Sequence, residues 1–110
     1  MNSAIAHPMR LTDLVDYQPG AVVSRVLLRT AGGVVTVFAF AEGEGLTEHS
    51  TPHDATLQML EGTLALTVGG TEHEVRAGEI IHLPAAVPHA LRGGGRFKML
   101  LTLLKKPATD

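Results

Sequence analysis

The chain has no cysteine and no tryptophan among its 110 residues. Without thiols there is neither a disulfide framework nor a thiolate nucleophile, and any metal must be held by nitrogen and oxygen. Aromatic residues make up only 4%, namely Tyr17, Phe38, Phe40 and Phe97, so a core must be built mostly from Val, Leu, Ile, Ala and Met. No apolar run is long enough to cross a bilayer. The opening stretch, MNSAIAHPMRLTD, lacks a basic segment followed by an apolar one and does not read as a secretory signal. These absences point to a cytoplasmic protein with no membrane partner. An excess of positive charge is missing too. Nine Lys and Arg stand against eleven Asp and Glu, scattered from Arg10 to Lys106, and a nucleic-acid partner would need them clustered.

What is present is glycine between short apolar runs. One domain is expected at this length, with residues 1–20 as an N-terminal arm, 21–106 as the body and 107–110 as a frayed tail. In the arm, Leu11, Leu14 and Val15 have helical spacing before the Pro19-Gly20 turn, enough for one turn that must pack on something larger. From Ala21 the pattern becomes AVVSRVLLRT, VVTVFAFA, TLQML, TLALTV, TEHEV and EIIHLP, separated by Gly32-Gly33, Glu61-Gly62, Gly69-Gly70 and Ala77-Gly78. Leu64, Leu66 and Val68 alternate with Thr63, Ala65 and Thr67, the period of a strand with unequal faces. Residues 42–48 read as a polar loop. The last run, RFKMLLTLLKK, reads as a strand with more large apolar groups than one inward face can use. Burying its other face in a homodimer would remove that exposure. The fold class predicted is all-β, a sandwich or barrel.

Histidine carries the chemistry. Of the six, His49 and His53 bracket Ser50-Thr51-Pro52, where the proline forces a bend rather than a helix. His89 follows Pro84 to Pro88, a stiffened turn. Three imidazoles converging at one mouth of a barrel would make a nitrogen face for Fe, Mn, Ni, Cu or Zn, with open positions for substrate or O2. The plainer reading is polar residues at a rim. His7 and His73 read as solvated, and His82, opposite in phase to Ile81 and Leu83, faces either pocket or surface. Asp54 could orient an imidazole or hold a turn through backbone N–H groups. The direction of Gln58 depends on the phase of its strand.

Residues 45–62 and 78–90 together resemble the two motifs of the cupin superfamily. Gly43 or Gly45 opens the first, His49 takes its first histidine and Gly62 closes it. Gly78, Pro84 and His89 match the second. The resemblance covers about residues 34–104 and implies a cupin-type β-barrel of jelly-roll form, a homodimer, and a divalent transition metal at the barrel mouth. Counting back from Gly62, the family's second histidine falls on Thr51 and its acidic ligand on Ala55, so two of four ligands are absent. His53 is not at a family ligand position, though a rearrangement of its loop could let it replace the missing imidazole, and the candidate metal ligands are His49, His53 and His89. Two functions follow. One is a metal-dependent enzyme, of dioxygenase, isomerase or lyase type, acting on a small organic substrate. The other is a non-catalytic barrel that binds or senses a small molecule.

Overall fold

The computed structural model describes residues 4–106, which puts the expected tail at 107–110 outside the described residues. A 3-10 turn at Leu11–Asp13 is followed by nine strands: β1 (Val22–Thr30), β2 (Gly33–Phe40), β3 (Gly45–His49), β4 (Asp54–Glu61), β5 (Thr63–Val68), β6 (Thr71–Arg76), β7 (Ile80–Leu83), β8 (His89–Gly93) and β9 (Phe97–Leu104). They form a five-stranded sheet ordered β1-β2-β9-β4-β7 and a four-stranded sheet ordered β3-β8-β5-β6. Every pairing in both is antiparallel. The sheets face each other as an open jelly-roll sandwich, and among the described residues no strand pairing joins one sheet to the other. The all-β expectation holds. The polar loop read at 42–48 is in part a strand: β3 is exposed along its whole length and pairs only with β8. An edge strand of this kind has no apolar alternation to betray it.

Alternation does the folding elsewhere. On β4, Ala55, Leu57 and Met59 are buried, while Asp54, Thr56 and Gln58 take the opposite face. Leu64 and Leu66 of β5 are buried likewise. These inward faces meet in one cluster with Phe40, Val75, Leu83, Leu91, Phe97 and Met99. At its centre Phe40 and Phe97 stack with ring centroids 4.4 Å apart and planes 10° from parallel. A core short of aromatics thus spends two of its four at the middle. Gly62, which closes the first motif, has φ +84°, and a Cβ there would lie 2.5 Å from the Arg96 carbonyl oxygen and 2.9 Å from Phe97 Cβ. The β4–β5 turn can come that close to β9 only without a side chain.

The arm packs on the outer face of the five-stranded sheet. Leu14 and Val15 are buried there with Leu27, Val37 and Ala39, and Leu100 of β9 packs against them. So the surplus apolar groups of the last strand are partly covered by the chain's own N-terminal segment. Leu28, Ile80 and Leu104 stay 45%, 62% and 55% exposed. Polar contacts pin the arm as well. Lys98, only 8% exposed, donates from Nζ to the Thr12 carbonyl at 2.7 Å. The Tyr17 hydroxyl donates to Glu61 Oε2 at 2.6 Å, and the Arg96 guanidinium sits 4.6 Å above the Tyr17 ring. Burial, then the Glu61 hydrogen bond, push the Tyr17 phenol well above its ordinary 10.0. A raised folded value means that this contribution is whole below pH 10.0 and fades as pH climbs above it. Tyr17→Phe is expected to cost about 1–2 kcal/mol at neutral pH, a charged-acceptor hydrogen bond discounted for partial exposure. Urea unfolding checks it, and the gap between the two proteins should narrow above pH 10.0.

Candidate functional site at the open end of the sandwich

β3 runs toward one end of the sandwich and β8 starts there. Their register pairs His49 with His89 directly, after an irregularity between Leu46 and His49. The two imidazoles meet edge to face with centroids 4.4 Å apart and planes at 67°. His89 also lies opposite Val68 of β5 and is 6% exposed, whereas His49 is exposed at the edge. The convergence of these two segments, expected from the motifs, is therefore present as a cross-strand pair.

The ring nitrogens are not equivalent. His49 Nδ1 lies 2.8 Å from the Thr47 carbonyl oxygen, and His89 Nδ1 lies 3.4 Å from that of Val87. A carbonyl can only accept, so in each neutral ring the proton sits on Nδ1 and Nε2 is left with a lone pair. Burial, followed by the nearness of His49, pushes the His89 pKa below 6.5, against a smaller upward pull from Val87. His89 is thus mostly neutral at pH 7 and presents an acceptor, not a cation.

His53 is placed differently. It precedes β4, in the opposite sheet, and its Nδ1 accepts a 2.8 Å hydrogen bond from the Lys106 backbone amide. Its proton must then reside on Nε2, so neither nitrogen has a free lone pair. Ligation by His53 would require that bond to break. Thr51 takes a local role: its Oγ1 accepts from the His53 amide at 3.0 Å. Ala55 points into the buried cluster at 4% exposure, so the position where the family carries a carboxylate faces inward and holds a methyl group. Among the described residues, no group of three or more His, Asp or Glu is arranged to hold a metal ion. Two imidazole nitrogens fall short of the three or four protein ligands that retain a transition metal. On donor chemistry, these residues do not fit a resident metal.

Asp54 and His82 sit apart from the pair, on the outer face of their sheet. His82 Nε2 donates to Asp54 Oδ1 at 2.8 Å, and the Ala85 amide donates to the same oxygen at 3.0 Å. The hydrogen bond from His82, then that from Ala85, hold the Asp54 pKa below its usual value. Both phase questions left by the sequence resolve outward: His82 shares the exposed face with Asp54, and Gln58 shares it with Thr56. His73 is exposed, and His7 is exposed in the arm. No local pattern marks the Lys106 amide on His53, a contact between residues 53 positions apart.

Residues 36–103 match the sequence profile described as the cupin domain. No curated protein matches the chain. Among solved structures, a conserved protein of unknown function from Streptococcus pyogenes is 33% identical, with 94% of this chain and 90% of that one covered at a TM-score of 0.87. A cupin superfamily protein from Desulfitobacterium hafniense is 27% identical over 96% of this chain and 97% of its own, at 0.88. A cupin 2 conserved barrel domain protein from Leptotrichia buccalis is 39% identical over 88% of this chain but 47% of that one, at 0.84.

Proposed function

The chain belongs to the cupin family, and from that premise we propose that it is a small-molecule-binding cupin with the His49–His89 pair as its polar anchor. The observation that carries this reading is the pair itself: two imidazoles 4.4 Å apart, each with Nδ1 against a backbone carbonyl. Such a pair offers two hydrogen-bond acceptors beside an apolar interior. The ligand class that suits it has an apolar body and hydroxyl or amide N–H donors at one end. His89 supplies the buried half of the anchor and His49 the open half. Among the described residues no nucleophile is hydrogen-bonded to a base at this pair, which favours binding over covalent turnover.

The metal-dependent enzyme is supported by one feature, the free Nε2 lone pairs of the same two rings. It is weakened by Thr51, by Ala55 and by the engagement of His53 with Lys106.

Native mass spectrometry of the purified protein, wild type against His89→Ala, tests the binding reading. A bound small molecule is expected in wild type and at least tenfold less in the variant, since losing a good buried hydrogen bond costs about 1.4 kcal/mol or more. Equal retention by His89→Ala would place the ligand elsewhere and overturn the assignment.

A further inference from the structure

Between β7 and β8 the chain makes a tight loop, Pro84 to Pro88, whose last residue precedes His89. Ala86 holds φ at +65°, the one non-glycine residue among those described with positive φ. An alanine stays in that region only where its surroundings over-determine it. The surroundings here are two backbone amides fixed from the β3–β4 side of the molecule. Ala85 donates to Asp54 Oδ1 at 3.0 Å, and Ala86 donates to the Thr51 carbonyl at 2.7 Å. Within the loop Val87 donates to the Pro84 carbonyl at 3.2 Å, and Gly69 donates to the Pro88 carbonyl at 2.8 Å. The loop then presents the Val87 carbonyl to His89 Nδ1.

We infer that Asp54 is a positioning residue of the site: its Oδ1 fixes the strained loop whose Val87 carbonyl sets the orientation and tautomer of His89. This inference rests on the reading that His89 is part of the anchor. The chain of causes is short. Asp54 is the only side chain among the described hydrogen bonds that accepts from this loop, and its second partner, His82, holds the carboxylate in place from the side. Without that acceptor, Ala86 loses one of its two flanking restraints, and the Val87 carbonyl is free to turn from the ring. The 3.4 Å separation at Val87 is already long for a hydrogen bond, so a small rotation of the loop removes it. His89 would then exchange between its two neutral tautomers.

Long-range 1H–15N spectra of the imidazoles in the full 15N-labelled chain test this. Wild type is expected to show His89 as a single tautomer, protonated at Nδ1. Asp54→Ala should lose the single-tautomer pattern at His89 and the ring-to-ring contact with His49. Asp54→Asn, which keeps an oxygen for the Ala85 amide, should restore both. A wild-type His89 pattern in Asp54→Ala would overturn the inference, as would Asp54→Asn failing as completely as alanine. Should Asp54→Ala not fold, Asp54→Glu moves the oxygen by one methylene and is read the same way. The readout is a magnetic resonance pattern, not ligand retention. An unchanged pattern would therefore sink the role of Asp54 while leaving the two-imidazole anchor to be judged by His89→Ala.

Discussion

Phe97→Ala is expected to destabilise the domain by about 3–5 kcal/mol. The Phe97 side chain is fully buried, stacks on Phe40, and stands where Gly62 and Gly93 admit the β4–β5 turn and β8 to close approach. Truncating a buried phenylalanine costs about 3–5 kcal/mol when the neighbours cannot collapse into the space. Collapse is hindered here because two backbone segments close on Phe97: the β4–β5 turn at Gly62 on its backbone and Cβ, and β8 at Gly93 on its ring. A Cβ at Gly93 would lie 2.6 Å from Phe97 Cε1, so β8 is spaced by the ring itself. With total stabilities of about 5–15 kcal/mol for domains of this kind, the loss removes between about a fifth and all of it. Melting followed by circular dichroism should show a fall on the order of 15 °C or more. A fall of a few degrees would mean that the core repacks and that the aromatic stack is not its centre.

The second large effect concerns what the site lacks. Thr51→His combined with Ala55→Glu is expected to bind close to one equivalent of Mn2+ or Zn2+ per chain, where the parent binds far less. The inward direction of Ala55 is the reason: a carboxylate there faces the same interior as His89, and two imidazoles with bare Nε2 are already in place. Without metal the variant should be destabilised by several kcal/mol, because an unpaired carboxylate at a 4% exposed position loses its hydration. Added metal should recover stability by mass action, about 2.7 kcal/mol at a hundredfold excess over Kd. Thermal melts with and without metal measure both signs. A double variant that neither falls in stability nor recovers with metal would show that position 55 does not look into the site.

Much of this arrangement could be read before any coordinates. Alternation in residues 63–68 marked β5, because one face of that strand is buried and the other is not, and the glycines between the short apolar runs marked the turns. The spacing from Gly78 through Pro84 to His89 marked a histidine at a strand start, since two prolines leave the chain few ways to run between them. What escaped the sequence depends on partners distant along the chain. β3 went unread because an exposed edge strand such as Gly45–His49 has no apolar period. His53 was expected beside His49 from nearness in sequence, yet a backbone amide from Lys106 claims its lone pair. The outward turn of His82 and Gln58 depended on strand phase, which only the register with β4 and β7 supplies. The apolar surplus of β9 suggested a second subunit, and in part it meets Leu14 and Val15 of the arm.

The most direct measurement of the central claim is elemental analysis of the protein purified without added metal, in wild type, His49→Ala and His89→Ala. Two acceptor imidazoles without a third ligand predict transition metal far below one equivalent in all three proteins. Near-stoichiometric metal in wild type that disappears in both variants would contradict the account and make the pair a metal centre.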